Sequence, residues 1–279
     1  MKIAVLSGKG GTGKTFVSVN LAAAADKATY IDCDVEEPNG RLFFKPKNVI
    51  KQAVYTGIPT FDAGKCIGCR KCVDFCRFNA LVYVKDTPMV FPDVCHCCGG
   101  CTQVCPTGAV TENERRVGCV ENGQGGHVRV VTGIMDLGVT SGIPVIRTAL
   151  KMSAPPEELT VLDCPPGSAC PVMESVQGAD YCILVAESTA FGLHNLEMVH
   201  ELVTMLHKPC GVIINKADEP YPPLESFFKD HGLHVLCRIP YRERLATLGA
   251  NAEIAVRQDK EMEALFRSLM GDIRKKVAQ

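Results

Sequence analysis

The chain has 279 residues, 46% hydrophobic and 22% charged, enough apolar material for a sizeable core, which excludes a mainly disordered chain. Lys and Arg number 30 against 31 Asp and Glu, a formal net charge of -1, which gives no basis for binding nucleic acid or an anionic membrane. A prior of about one domain per 150 residues predicts two domains, or one large domain carrying an insertion.

The N-terminus runs from Met1-Lys2 straight into Ile3-Ala4-Val5-Leu6 and then glycines. It carries no h-region or small-residue cleavage site, and no apolar stretch is long enough to span a bilayer, so a cytoplasmic, reducing location is expected. Lys2 to Leu6 read as a strand, residues 14 to 25 as a helix, and Ala28 to Asp32 as a second strand that stops at the acidic run Asp32 to Pro38. Parallel α/β architecture begins there.

Between that first strand and helix, Gly8-Lys9-Gly10-Gly11-Thr12-Gly13-Lys14-Thr15 fits G-x4-G-K-[ST]. Glycines let successive backbone N–H groups turn toward a polyanion at a helix N-terminus. In this motif Lys14 reaches the β- and γ-phosphates and the Thr15 hydroxyl ligates Mg2+.

After residue 55 the strand and helix rhythm is lost. The chain holds sixteen cysteines, nine of them between residues 66 and 105, where KCIGCRKCVDFC is echoed by VCHCCGGCTQVC. An internal repeat of this kind marks a separate module. Cys66, Cys69, Cys72 and Cys76 are spaced C-x2-C-x2-C-x3-C; Cys95, Cys98, Cys101 and Cys105 repeat the spacing, with Pro106 after the last. This is the bacterial two-cluster ferredoxin pattern, in which the fourth cysteine of each run ligates the other cluster. Two 4Fe–4S clusters are expected: cluster 1 on Cys66, Cys69, Cys72 and Cys105, cluster 2 on Cys95, Cys98, Cys101 and Cys76. Zinc would call for isolated C-x2-C pairs in tetrahedral fours, which the third cysteine and the x3 step do not supply. Arg77 stands where proline often follows the last cysteine of a run. Cys97 is surplus to the pattern and reads as a small filler or spare thiol.

From about residue 116 the α/β rhythm returns. Residues 117 to 150 are glycine-rich and read as hairpin-like strands and loops. Strands follow at Leu159 to Leu162, Tyr181 to Ala186 and Cys210 to Asn215, with helices near 170 to 177 and 191 to 207. The last segment, 259 to 277, spaces Met262, Leu265, Phe266, Leu269, Met270, Ile273 and Val277 as one face of an amphipathic helix, expected to pack on the sheet rather than bind membrane.

The stretch KGGTGKT resembles the deviant Walker A loop of the MinD/ParA-like P-loop ATPases, and further residues match that family in order. The resemblance implies a P-loop NTPase fold, a mostly parallel sheet flanked by helices, over residues 1–58 and 114–279. A small α+β bacterial-ferredoxin-like domain at 59–113 would interrupt it. It also implies that Lys9 reaches in trans across a nucleotide-sandwich dimer, formed with itself or with a sister ATPase. Asp34 of the Asp32-Cys33-Asp34 segment would orient the attacking water. In Asp163-Cys164-Pro165-Pro166-Gly167, Asp163 would sit near Mg2+ and Gly167 would offer its N–H to the γ-phosphate. Asn215 and the nearby Pro240 would contact adenine. Cys170, and Cys164 beside it, resemble the position of an interfacial cluster ligand in the nitrogenase iron protein, although a second ligand at that protein's spacing is not evident.

The implied activity is ATP hydrolysis coupled, through nucleotide-dependent dimerisation, to electron transfer or to handling of a metal cluster on a partner protein. Two other readings stay open: a spatial organiser with structural or redox-sensing clusters, and an electron carrier regulated by nucleotide.

Overall fold

The computed structural model describes residues 1–155 and 157–277. Lys2–Leu6 forms β1, and the glycine-rich turn after it leads into α1 (Lys14–Ala24) and β2 (Ala28–Asp32). A short α2 (Gly40–Phe44) precedes the 15-residue β3 (Lys47–Phe61). Next come α3 (Lys71–Phe75), the small hairpin of β4 (Leu81–Val84) and β5 (Thr87–Val90), and α4 (Gly100–Gln103). Then β6 (Val110–Gly125) returns antiparallel along β3, and β7 (Val128–Met135) antiparallel along β6. The second half alternates through α5 (Ile143–Leu150), β8 (Leu159–Asp163), α6 (Cys170–Val176), β9 (Tyr181–Glu187), α7 (Ala190–Met205) and β10 (Cys210–Asn215). It closes with α8 (Pro222–Asp230), β11 (Val235–Ile239), α9 (Glu243–Ala250) and α10 (Lys260–Val277).

The main sheet runs β11-β10-β9-β1-β8-β2-β7-β6-β3, parallel from β11 to β7 and antiparallel over its last two strands. Period-two alternation sends Ile3 and Val5 to one face and Ala4 and Leu6 to the other, and all four are fully buried. The first face packs with Tyr30, Val161 and Phe266 against α1 and α10; the second packs with Ile31, Leu162 and Leu196 against α5, α6 and α7. The expected amphipathic helix is therefore present, and Met262, Phe266, Leu269, Met270 and Ile273 of α10 are buried. Among the described residues no helix is long and apolar enough to cross a membrane.

Two stretches differ from the sequence reading. Residues 47 to 61, which run on past residue 55 where the rhythm was read as lost, form a continuous edge strand whose first half is solvent-exposed, so its side chains show no alternating apolar pattern. Within 117 to 150, the segment expected as strands and loops, Ile143–Leu150 is helical: Pro144 suits the first turn, and Val145, Ile146 and Ala149 fall on one buried face. The β3–β6 ribbon passes through residues 58 and 114 without a break, and the cysteine-rich residues 62–109 sit at its far end.

Candidate nucleotide site and thiol-lined cavities

The loop between β1 and α1 is shaped by close approach. A Cβ on Gly8 would lie 2.2 Å from the Asn195 carbonyl oxygen, and one on Gly13 would lie 2.1 Å from Asn215 Nδ2. Gly11 and Gly13 also adopt positive φ, at 81° and 94°, the left-handed region that disfavours side chains. Ser7 Oγ donates to the Lys9 carbonyl at 2.8 Å, and Asn215 Nδ2 donates to the Thr12 carbonyl at 2.8 Å. Gly10 and Gly11 leave open space where a Cβ would stand.

Parallel pairing of β1, β8 and β2 brings Asp163 beside Asp32 in register at the carboxyl ends of the strands. Lys14, buried at the start of α1, lies between two carboxylates, with its Nζ 3.5 Å from Asp163 Oδ1 and 3.9 Å from Asp34 Oδ2. Burial works to lower the Lys14 pKa, but Asp163, Asp34 and the other anionic groups nearby outweigh it and hold the ammonium above its ordinary value. Burial is also the main reason that the Asp34 carboxyl is pushed up to about 6; Lys14 opposes the rise. Thr15 is half-buried at the second position of α1.

Asp32 accepts the Asp34 N–H at 3.2 Å and the Gly40 N–H at 2.9 Å, and so pins the acidic loop at both ends. Its carboxyl is driven well above the carboxylate range by burial and then by Asp163. Asp163 is in turn held by Tyr30, whose hydroxyl donates to Oδ2 at 2.7 Å. Tyr30 was not among the expected site residues. It stands two positions before Asp32 on the same face of β2, and Gly40 has no side chain where a Cβ would come 2.1 Å from the Tyr30 hydroxyl.

Glu187 was likewise missed. At the end of β9 it takes Lys9 Nζ at 3.2 Å and Lys216 Nζ at 2.7 Å, so Lys9 is paired within its own chain. Although burial works upward, Lys216 and then Lys9 hold the Glu187 carboxyl below its usual value. Gly167, at φ 90°, gives its N–H to the Ser7 carbonyl at 2.9 Å. A phosphate would have to replace that acceptor. Beside the loop, a cleft of about 160 Å³ is lined by Gly13, Phe16, Asn215, Pro240 and Tyr241 among others.

Two further cavities divide the cysteine repeat. One, of about 210 Å³, is lined by Cys76, Cys95, Cys98 and Cys101, together with Cys97; the other, of about 20 Å³, by Cys66, Cys69, Cys72 and Cys105. The fourth cysteine of each run thus crosses to the cavity of the other run. The chemistry of these walls suits thiolate ligation of a cluster, with five thiols in the larger and four in the smaller and backbone N–H groups aimed at sulfur. Cys97 N–H donates to Cys95 Sγ at 3.4 Å, with Cys97 itself at φ 52°. Against the upward effect of burial, the N–H groups around Thr107, Ala109 and Val110 hold the Cys105 thiol below its ordinary value. Cys97, expected as filler, forms part of a cavity wall.

The remaining thiols are dispersed. Cys164 is wholly buried, with its Sγ directed to the Leu162 carbonyl at 3.8 Å, whereas Cys170 is exposed at the start of α6. The two therefore do not meet at one surface site. Cys182 is buried, and Cys210 and Cys237 are half-buried against the two faces of the core.

A family model described as the CobQ/CobB/MinD/ParA nucleotide binding domain matches residues 3–256. An uncharacterised protein of Methanocaldococcus jannaschii, MJ0578, is 32% identical over 227 residues, covering 77% of this chain and 78% of its own. An uncharacterised ferredoxin of the same organism, MJ0722, is 38% identical over 53 residues, 18% of this chain and 69% of that one. In fold the chain is similar to the cell division ATPase MinD of Pyrococcus furiosus, with a TM-score of 0.61 at 18% identity over 98% of both chains.

Proposed function

The chain belongs to the CobQ/CobB/MinD/ParA nucleotide-binding family, and from that premise we propose that it is an ATPase whose nucleotide state controls electron transfer through two 4Fe–4S clusters. One observation carries the reading: a phosphate-type loop with Lys14 set between Asp34 and Asp163 stands on the same continuous sheet whose β3–β6 ribbon ends at two cysteine-lined cavities.

Gly8, Gly10, Gly11, Thr12 and Gly13 would present backbone N–H groups to the phosphates, and Lys14 would leave its carboxylate partners for the β- and γ-oxygens. Thr15 and Asp163 would hold Mg2+, which neutralises charge on the transferred phosphoryl group; Tyr30 fixes the orientation of Asp163. Asp34, once ionised, would orient the attacking water, and the Gly167 N–H would exchange the Ser7 carbonyl for the γ-phosphate. Adenine fits the cleft beside Asn215 and Pro240, where the Asn215 side-chain oxygen would accept from the exocyclic amine.

Lys9 would leave Glu187 and reach a second copy's phosphates, so that the working unit is a homodimer. Phosphoryl transfer needs positioning and charge neutralisation more than covalent chemistry, and this set supplies both. The ferredoxin-like residues 59–113 would form the inserted module. Cluster 1 would be held by Cys66, Cys69, Cys72 and Cys105, and cluster 2 by Cys95, Cys98, Cys101 and Cys76; when bound, the clusters supply one-electron chemistry.

The test is Lys14→Ala. ATP turnover is expected to fall by at least about 100-fold, while iron stays at about eight per chain after anaerobic purification. Turnover that survives the substitution would place the site elsewhere.

A further inference from the structure

The acidic loop that carries Asp34 touches the rest of the sheet at the next residue. The Val35 carbonyl accepts the Met135 N–H at 2.9 Å at the end of β7. The Val35 side chain is gripped by two glycines: a Cβ on Gly133 would lie 2.6 Å from Cγ1, and one on Gly142 would lie 2.4 Å from Cγ2. Both ends of the loop from Met135 to Gly142 therefore rest on the neighbour of Asp34.

The middle of that loop reaches the cysteine-rich segment. Thr140 Oγ1 donates to the Asp93 carbonyl at 2.8 Å. Arg115, on β6, donates from Nη2 to Asp93 Oδ1 at 3.4 Å and to the Gly138 carbonyl at 3.5 Å, and from Nη1 to the Pro92 carbonyl. Arg116 beside it pairs with Asp136 at 3.1 Å. The Pro92 carbonyl that takes Arg115 also takes the N–H of Cys95 at 3.3 Å, and Cys95 lines the second-run cavity. A chain of direct contacts runs from Asp34 through Val35, Met135 and Gly142, the 136–140 loop, Arg115 and Pro92 to Cys95.

Among the described residues no side-chain hydrogen bond or ion pair links the 136–140 loop to the first-run cavity, which meets the ribbon only at Phe61 and Val110. Among the described residues, the hydrogen bonds and ion pairs of residues 62 to 90 stay within the cysteine-rich segment and its junction with the ribbon.

We infer that Arg115 and Thr140 clamp the 136–140 loop, and through it the segment bearing Asp34, to the Pro92–Cys95 turn, so that nucleotide binding alters the surroundings of cluster 2 and leaves cluster 1 unchanged. The inference rests on the proposed function and specifies which of its two clusters responds. A phosphate drawn to Lys14, with its metal held by Thr15 and Asp163, would change the charge facing Asp34; the 32 to 37 segment would shift, and Val35 would carry Met135 and the 136–140 loop with it. Through Thr140 and Arg115 the shift reaches the turn bearing Cys95, where hydrogen bonds to sulfur and solvent access set cluster properties.

The test is EPR-monitored redox titration of the full chain, nucleotide-free and with a nonhydrolysable Mg-ATP analogue. Signals are assigned with Cys98→Ser for cluster 2 and Cys69→Ser for cluster 1. The wild type is expected to show a nucleotide-dependent shift at cluster 2 alone. Thr140→Val and Arg115→Ala should keep full iron and bind nucleotide within about twofold, yet each lose at least about half of that shift, and the double variant all of it. If the double variant loses iron, Thr140→Val, which deletes one exposed hydroxyl, decides the matter. A wild-type-sized shift in the iron-replete variants, or an equal shift at cluster 1, overturns the clamp. A wild type with no shift at either cluster overturns the coupled reading itself.

Discussion

Asp34 and Lys14 show how the proposed phosphate site is charged before an anion arrives. Lys14 is held charged by Asp163 and Asp34 despite its burial, while Asp34 pays a desolvation penalty large enough to lift it to about 6. A carboxyl with a raised pKa is protonated below that value and ionised above it. In the proposed role the ionised form is the effective one, because a carboxylate accepts from the attacking water far more strongly than a neutral carboxyl does. ATPase kcat/KM, which reports the free enzyme, is therefore expected to rise with pH through a limb centred near 6, falling about tenfold per unit below it. A pH–rate profile of the wild type against Asp34→Asn checks this: the limb should be absent from the residual activity of the variant. Gly13 was legible in the sequence because its motif demands glycine, and the structure supplies the reason in its positive φ and in Asn215 packed against it. Tyr30 and Glu187 were not legible, since one tyrosine in a buried strand and one glutamate at a strand end carry no spacing signal.

At the scale of elements, α10 settles where its apolar face goes. Phe266 is fully buried and shares a core with Ile3, Val5 and Leu21. Phe266→Ala is expected to cost about 3–5 kcal/mol of stability through lost burial and the cavity left behind. Denaturant unfolding checks this, and a loss under about 1 kcal/mol would show the helix to be loosely docked. Its periodicity was readable from the sequence because burial on one side imposes a 3.6-residue repeat. Strand β3 was not readable for the converse reason: an edge strand with Lys47, Lys51 and Gln52 facing solvent carries no apolar repeat, and its ladder to β6 is made by backbone. Helix α5 fell between the two, since glycines on both sides of it hid a short buried face.

Across the whole molecule, the sheet joins the phosphate loop to the two thiol-lined cavities. The crossed distribution of thiols between two cavities makes a prediction that local sequence order would get backwards. Cys76→Ser should deplete cluster 2, and Cys105→Ser cluster 1, each leaving about four irons per chain. Iron analysis with EPR of the two variants checks it; loss of the cluster nearer in sequence would refute the exchange. The sequence by itself determined the phosphate loop, the two cysteine runs and the alternating α/β elements, because each depends on short-range spacing or on burial periodicity within one element. Only the tertiary structure decided that Tyr30 holds Asp163, that Glu187 holds Lys9 and that Arg115 joins the 136–140 loop to the turn before Cys95. Those contacts bridge residues 23 to 178 positions apart, and their geometry exists only once parallel pairing has set strand register and the ribbon has folded back on the sheet.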